Sequence, residues 1–579
     1  MSKLLKYLRP YRWLIVLMFV FLITENMAVL YLPAIMADIV NNGIILSVQE
    51  NISRQYYIVQ RGFVMLAVTL LSGLAAICSG YLAPRIAAGA ARDIRRDMFI
   101  KVESFSQKEF DTFSSASLIT RCTNDVQQIR ELTNMSARLL FFAPLMGIGG
   151  VIMAVNQSVA MSWIIGLAVI VLIGFTALII PTVMPRFRIL QGLMDRLNKV
   201  ARESLHGLMV IRAFSTQKHE MKRFDDVNSE IYDIAVFVTR VMGIAGPIMT
   251  FILGGTQILV IWVGAQHIAA SDIMIGDMMA FMMYAVQVIF AFMLLTMVLV
   301  VVPRSIVSAG RIAEVLETEP AIADPDETAN FSESDEGFVR FENVSFRYPN
   351  AEADAISGIS FTAYPGQTTA IIGPTGAGKS TIAQLFMRFY DVNDGAITVN
   401  GADVRKLKQT DLREKIGYVP QKGQLISGTI ASNISYGNPD ASEEVIRQAA
   451  LVSQAIEFIE EKSEGFEGEI GQKGGNVSGG QRQRLSIARA LAINPDILVF
   501  DDSFSALDFQ TDKALRKALK EHATQATVIV IAQRIGTIMN SEQILVLEEG
   551  QIVGRGTHAE LLENCPSYRE IAESQGVTL

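Results

Sequence analysis

The chain has 579 residues, half of them hydrophobic, with a net charge of −8 and a positive mean hydropathy. That is too long for one ordinary domain and too apolar for a soluble two-domain protein. Residues 1–310 hold 26 Lys+Arg against 19 Asp+Glu (+7) and the remainder 24 against 39 (−15), which sum to the net −8; a basic, apolar half followed by an acidic one reads as a membrane domain and then a cytoplasmic domain.

The opening "MSKLLKYLRPYRW" is basic and amphipathic and lacks a small-residue cleavage site, so it reads as a retained interfacial helix. Six apolar stretches near 13–36, 62–82, 137–155, 159–184, 241–264 and 278–302 are long enough to cross a bilayer. The connections around 83–136 and 185–240 are long and rich in Arg and Lys, whereas those at 156–158 and 265–277 carry neither. The positive-inside rule therefore puts the long loops and both termini in the cytoplasm. Apolar residues at three- and four-residue spacing make the long loops helical, with polar turns at 110–125 and 214–224 forming docking tips. The cysteines Cys78, Cys122 and Cys565 are scattered and read as free thiols in a reducing compartment.

Within the first span lies Glu25, and the sixth holds Met278, Met282, Met293 and Met297 within a stripe of about 100°. An intramembrane carboxylate seldom faces lipid, and methionines suit a surface accepting many apolar shapes. These five are the candidate substrate-cavity residues, beside the reading that methionine is simply lipid-compatible and Glu25 pairs with a polar neighbour. Residues 311–336 are acidic and proline-dotted, a linker. From Gly337 to Leu579, β-branched strands alternate with helical segments, the signature of an α/β domain with a largely parallel sheet. The expected division is thus 1–310 membrane domain, 311–336 linker and 337–579 soluble domain, half of an assembly that must dimerise.

"GPTGAGKS" at 373–380 follows a strand and opens a helix. The glycines Gly373, Gly376 and Gly378 let backbone amides turn onto phosphates, Lys379 reaches the β/γ oxygens and the Ser380 hydroxyl ligates Mg²⁺. With Pro374, Thr375, Ala377 and Thr381 these form the expected ATP-binding set. The apolar strand "ILVFDD" ends on Asp501, placed to hold Mg²⁺, and Gln421 after another strand suits the metal or the attacking water. Tyr348 in "VSFRYPN" is placed to stack on adenine. "NVSGGQRQRLSIARAL" at 476–491 precedes "ILVFDD", and Ser478 caps a helix whose amides favour a phosphate presented from outside.

These motifs, with "SALD" and the six spans, resemble the ABC transporter exporters across essentially the whole chain. The resemblance implies a six-helix all-α transmembrane domain fused to a P-loop α/β nucleotide-binding domain. It implies two such domains sandwiching two ATP–Mg²⁺ head to tail, with Ser478, Gly479, Gly480 and Gln481 serving the partner's ATP and the loop tips acting as coupling helices. It also exposes two departures. The family usually has glutamate, the general base, where this chain has Asp502, and a switch histidine where it has Gln533. Asp502 falls about one methylene short, and a displacement of about 1 Å can cost on the order of 10²-fold in rate; glutamine carries neither a proton nor a positive charge. A degenerate catalytic strand beside a sound signature is closest to the degenerate-site subunit of bacterial heterodimeric multidrug exporters.

The expectation is one subunit of an ATP-hydrolysing exporter in the bacterial cell membrane, with the nucleotide-binding domain in the cytoplasm. A homologous half-transporter, membrane lipids and hydrophobic or amphiphilic compounds, drugs above all, are its partners; nucleic acid is not. The alternatives are a homodimeric lipid or peptide exporter, or an ATP-gated regulatory protein with little hydrolysis.

Overall fold

The computed structural model describes residues 2–45, 54–332, 337–349, 351–522 and 524–576, excluding the side chains of 2, 3, 54, 137–139, 296–301 and 303. The chain divides into two compact units, Met1–Glu103 with Ala116–Thr318, and Ser104–Ser115 with Glu319–Leu579.

A 3₁₀ segment, Ser2–Tyr11, leads into α1 (Arg12–Asp38), and α2 (Arg54–Glu103) returns alongside it. The short α3 (Gln107–Phe113) is followed by α4 (Ser115–Thr120), α5 (Val126–Ser136), α6 (Ala143–Gln157), α7 (Ser162–His206), α8 (Leu208–Ala213), α9 (Gln217–Ala269) and α10 (Ile275–Glu317). Among the described residues, six helical stretches are long and apolar enough to cross a bilayer. They outrun the apolar stretches because polar, helix-favouring sequence continues the same backbone pattern into water. The N-terminal segment packs along α2, with the Tyr7 hydroxyl donating to Asp97 (3.0 Å) and Tyr11 to Asp93 (2.9 Å). Most of 110–125 is helical rather than a polar turn: α3 ends where Ser114 takes a left-handed φ of +57°, and a π-helical turn, Arg121–Asp125, joins α4 to α5. α10 likewise carries on to Glu317, into the stretch read as linker.

The second unit contains β1 (Val339–Phe346), β2 (Ile356–Ala363), β3 (Thr368–Ile372), α11 (Lys379–Phe386), β4 (Asp394–Val399), β5 (Ala402–Asp403), α12 (Gln409–Glu414) and β6 (Ile416–Val419). A helical region follows with β7 (Gly428–Thr429), α13 (Ile430–Ile434), α14 (Glu443–Val452), α15 (Ile456–Glu460), β8 (Glu469–Ile470) and α16 (Gly479–Leu491). The chain closes with β9 (Ile497–Asp501), α17 (Phe509–His522), β10 (Thr527–Ile531), α18 (Ile535–Ile538), β11 (Gln543–Glu548), β12 (Gln551–Gly556), α19 (His558–Asn564) and α20 (Pro566–Ser574). The main sheet has the order β12-β11-β3-β10-β9-β6, parallel except for the edge strand β12. The buried runs of β9 and β3 are near-continuous because both faces are covered, one by α11 and a second sheet, the other by helices including α16, α17 and α18. That second sheet, β2-β1-β4-β5, is antiparallel.

Candidate functional site

Register brings the site together. Ile531 of β10 lies opposite both Ile371 of β3 and Asp501 of β9, and Val419 of β6 lies opposite Phe500. Four neighbouring parallel strands therefore end at one edge, where a doubly wound sheet binds ligands. The loops leaving that edge carry Gly373–Gly378, Gln533, Asp502 and Gln421.

Gly376 and Gly378 have φ of +87° and +94°, and a Cβ on Gly378 would stand 2.7 Å from the Ala355 carbonyl oxygen, so no other residue fits there. Lys379, at the start of α11, is buried and donates from Nζ to the carbonyls of Gly373 (2.8 Å) and Pro374 (2.7 Å). Burial lowers its pKa, opposed by the nearby Asp502 and Asp501. A buried ammonium hydrogen-bonded to its own loop's neutral carbonyls suits exchange onto phosphate oxygens. Ala377 and Thr381 are buried, whereas Pro374, Thr375 and Ser380 are exposed.

Ser380 donates to Asp501 Oδ1 (3.0 Å). Burial raises the Asp501 pKa, as does Asp502 beside it, while the Ser380 bond opposes the shift. A hydroxyl and a buried carboxylate in contact are an all-oxygen donor set that fits Mg²⁺. Tyr418, which sequence reasoning passed over, puts its hydroxyl against Asp501, and burial raises that hydroxyl's pKa. Its only signal in the sequence was a tyrosine in an otherwise aliphatic strand.

Asp502 has a left-handed φ of +49°, which Asp tolerates better than most residues. Its Oδ2 accepts from two amides, Gln421 Nε2 at 3.0 Å and Gln533 Nε2 at 2.9 Å. The three residues of the expected catalytic set thus form one hydrogen-bonded group. The Tyr348 hydroxyl is bonded to Thr381 Oγ1 (3.1 Å) and donates to Gln384 (2.9 Å), and its ring stands edge-on to Tyr390 (5.4 Å, 85°). Tyr390 in turn donates to Asp111 of α3 at 2.6 Å. The buried Glu109 carboxylate accepts from the Ser106 and Ala321 amides, so α3 is keyed into the second unit by two carboxylates that the sequence reading did not single out. The capping-box spacing of Ser106 and Glu109 was the available clue.

Ser478 caps α16: its Oγ accepts from the Gln481 amide (3.2 Å) and Gln481 Oε1 accepts from the Ser478 amide (3.0 Å). Ser478 and Gly479 are exposed, Gly480 and Gln481 half-buried. In the first unit, Glu25 is half-buried and accepts from Ser79 of α2 (3.2 Å). Met278 and Met282 pack against a buried cluster that includes Phe281 and Val260, Met293 is exposed, and the Met297 side chain lies outside the described residues.

Known families match on both sides of this geometry: the ABC transporter transmembrane region over residues 14–292 and ABC transporter over residues 356–505. An uncharacterised ABC transporter ATP-binding protein of Mycobacterium tuberculosis is 39% identical over 581 residues, covering 100% of this chain and 98% of the relative. An ATP-dependent lipid A-core flippase of Aliivibrio fischeri is 31% identical over 89% of this chain and 88% of its own. A Bacillus subtilis protein named "Probable multidrug resistance ABC transporter ATP-binding/permease protein" is 32% identical over 80% and 79%. A solved bacterial Atm1-family ABC exporter with ATP bound superposes with a TM-score of 0.80 at 26% identity, covering 98% of this chain and 99% of that one.

Proposed function

This chain belongs to the ABC transporters, and from that premise we propose that it is the degenerate-site half of a heterodimeric exporter of hydrophobic or amphiphilic compounds, drugs above all. The observation that carries the reading is the pair of amides on Asp502 Oδ2. A general base needs a lone pair directed at water beside the γ-phosphate. Here a short carboxylate is drawn between two neutral donors, and the residue that would otherwise supply a switchable charge, Gln533, is one of them.

The remaining parts stay serviceable. Gly373–Thr381 wrap the phosphates, Lys379 moves its donors from loop carbonyls to phosphate oxygens, and Tyr348 offers its ring to the base. Ser380 and Asp501 hold Mg²⁺, which when bound neutralises charge on the β/γ oxygens. Ser478–Gln481 present an ordered, exposed helix start to the ATP of a homologous half-transporter carrying the missing glutamate and histidine. Such a partner also gives a function to the tip of α8, where Met209 and Phe214 are 78% and 74% exposed. In this reading residues 1–310 span a bacterial cell membrane, 311–336 link, and 337–579 work in the cytoplasm with both termini. Glu25 and the methionines of α10 contribute to the substrate path. The multidrug name of one relative supports drugs; the lipid A-core flippase name of another supports a second reading, a lipid exporter.

The test is to purify the full chain alone and measure nucleotide binding and turnover separately. Binding of ATP–Mg²⁺ with very slow hydrolysis is expected; brisk hydrolysis by a verified homodimer would overturn the heterodimer.

A further inference from the structure

α1 contains Pro33 in its interior, buried within the first unit. Proline has no N–H, so the carbonyl four residues earlier, that of Val29, loses its helical partner, and the ring presses the turn open. Inside a bilayer no solvent replaces the lost bond. The replacement comes from α10: Gln287 Nε2 donates to the Val29 carbonyl at 3.3 Å. One turn away on α10, the fully buried Tyr284 donates from its hydroxyl to the next carbonyl of α1, that of Leu30, at 3.0 Å.

Beyond the proline, α1 is tied to the start of α10 again. Asn41, in the π-helical turn Ile39–Ile45, donates to Asp277 Oδ1 (2.8 Å) and accepts from the Gly276 amide (2.7 Å). Gln157 of α6 donates to the same Asp277 oxygen (2.8 Å). A Cβ on Gly276 would lie 2.5 Å from the Ala37 carbonyl oxygen, so the two backbones touch there. Before the proline, Met18 and Leu22 pack with Leu82, Ala83 and Ile86 of α2. α2 also reaches the outer arm, through Tyr57 and Arg61 on Asp38.

We propose that Pro33 is a built-in hinge of α1 and that Gln287 and Tyr284 form the clamp that holds it in this conformation. α10 is one unbroken helix from Ile275 to Glu317. A shift along it therefore reaches α1 at the one place where the α1 backbone is missing a bond of its own. Moving α10 by a turn strands the Val29 carbonyl, so the conformation of α1 at Pro33 and the position of α10 change together.

The test is a double-mutant cycle on the full chain in detergent, read by the thermal midpoint and by amide exchange across residues 30–38. Gln287→Leu in the parent strands the Val29 carbonyl but also removes the Gln287 Oε1, which is buried without a partner among the described residues; the two partly offset, so a drop of about 1–2 °C with faster exchange is expected. Pro33→Ala returns an N–H to α1, so the same Gln287→Leu change made in that background should cost less than half as much. If Gln287→Leu alone does not fold, recovery of folded protein in the double variant supports the clamp, and failure to recover overturns it. Equal losses in the two backgrounds would also overturn it, because Gln287 would then act through packing alone.

Discussion

Asp502→Glu and Gln533→His, singly and together, separate the two defects proposed for this chain's ATP site. The Glu side chain reaches about one methylene further, which at the end of β9 carries the carboxylate past Oδ2's present position, 3.0 Å from Gln421 and 2.9 Å from Gln533. With Gln533 in place the longer carboxylate still has an amide to follow. Position 502 also has a φ of +49°, where Glu is less at ease than Asp, a cost of order 1 kcal/mol. Each single variant should therefore raise hydrolysis at this site only a few-fold. The double variant recovers both a reaching base and an imidazole beside the phosphate. If the misplacement is about 1 Å, the gain is on the order of 10²-fold, and groups acting as a unit return it only together. The assay is single-turnover ATP hydrolysis by the purified full chain, at nucleotide concentrations where binding is shown to be complete. A 10²-fold gain with Asp502→Glu alone would refute the reasoning, since the missing methylene would then be the whole defect.

Asp501→Asn should raise the thermal midpoint of the nucleotide-free chain at neutral pH, while abolishing the extra stabilisation that Mg²⁺ adds to ATP. Because the folded-state pKa of Asp501 is raised, chiefly by burial, the native state holds its proton more tightly than the unfolded state. The group's contribution to stability is thus greatest below its unfolded pKa and is lost as pH rises through the folded one; a scan of midpoint against pH should be flatter in the variant. Tyr390→Phe removes the hydroxyl bonded to Asp111 at 2.6 Å, and a bond to a charged group is worth about 1.5–3 kcal/mol. Its full-chain unfolding midpoint should fall while ATP affinity stays within two- to three-fold, roughly the spread of a contact that touches no nucleotide; unchanged stability would mean the hydroxyl contributes nothing to holding α3.

Much of the site was legible because its chemistry is local. Gly376, Gly378, Lys379 and Ser380 fall within one turn of chain and stand out by spacing alone, as does Ser478, whose cap closes on Gln481 three residues later. The two amides on Asp502 come from 81 and 31 residues away. They meet it only because β6, β9 and β10 lie side by side in register, and sheet order is not written in any single strand. The antiparallel sheet β2-β1-β4-β5 escaped notice for a related reason. β1 pairs with both neighbours through bulges near Val344, which break the strict alternation that marks such strands. The spans were plain from hydropathy, yet hydropathy stops at the bilayer. That α2 runs on to Glu103 was legible instead from the helical spacing of apolar residues beyond the span, whereas nothing marked α10 as reaching Glu317. Tyr390 and Asp111, 279 residues apart, had no local signature at all.

The claim that this chain is the degenerate half is tested most directly by comparing Ser478→Arg with Lys379→Ala in the assembled transporter, with folding confirmed for each. In the proposed reading the Ser478 cap faces the partner's ATP, so an arginine there would put a bulky cation where a γ-phosphate must dock. Lys379 lies in the chain's own loop, bonded to the Gly373 and Pro374 carbonyls, and in the same reading it would exchange those bonds for a nucleotide that is held more than it is split. Steady-state ATPase should nearly vanish in Ser478→Arg and persist appreciably in Lys379→Ala. Equal loss, or a greater loss with Lys379→Ala, would contradict the assignment.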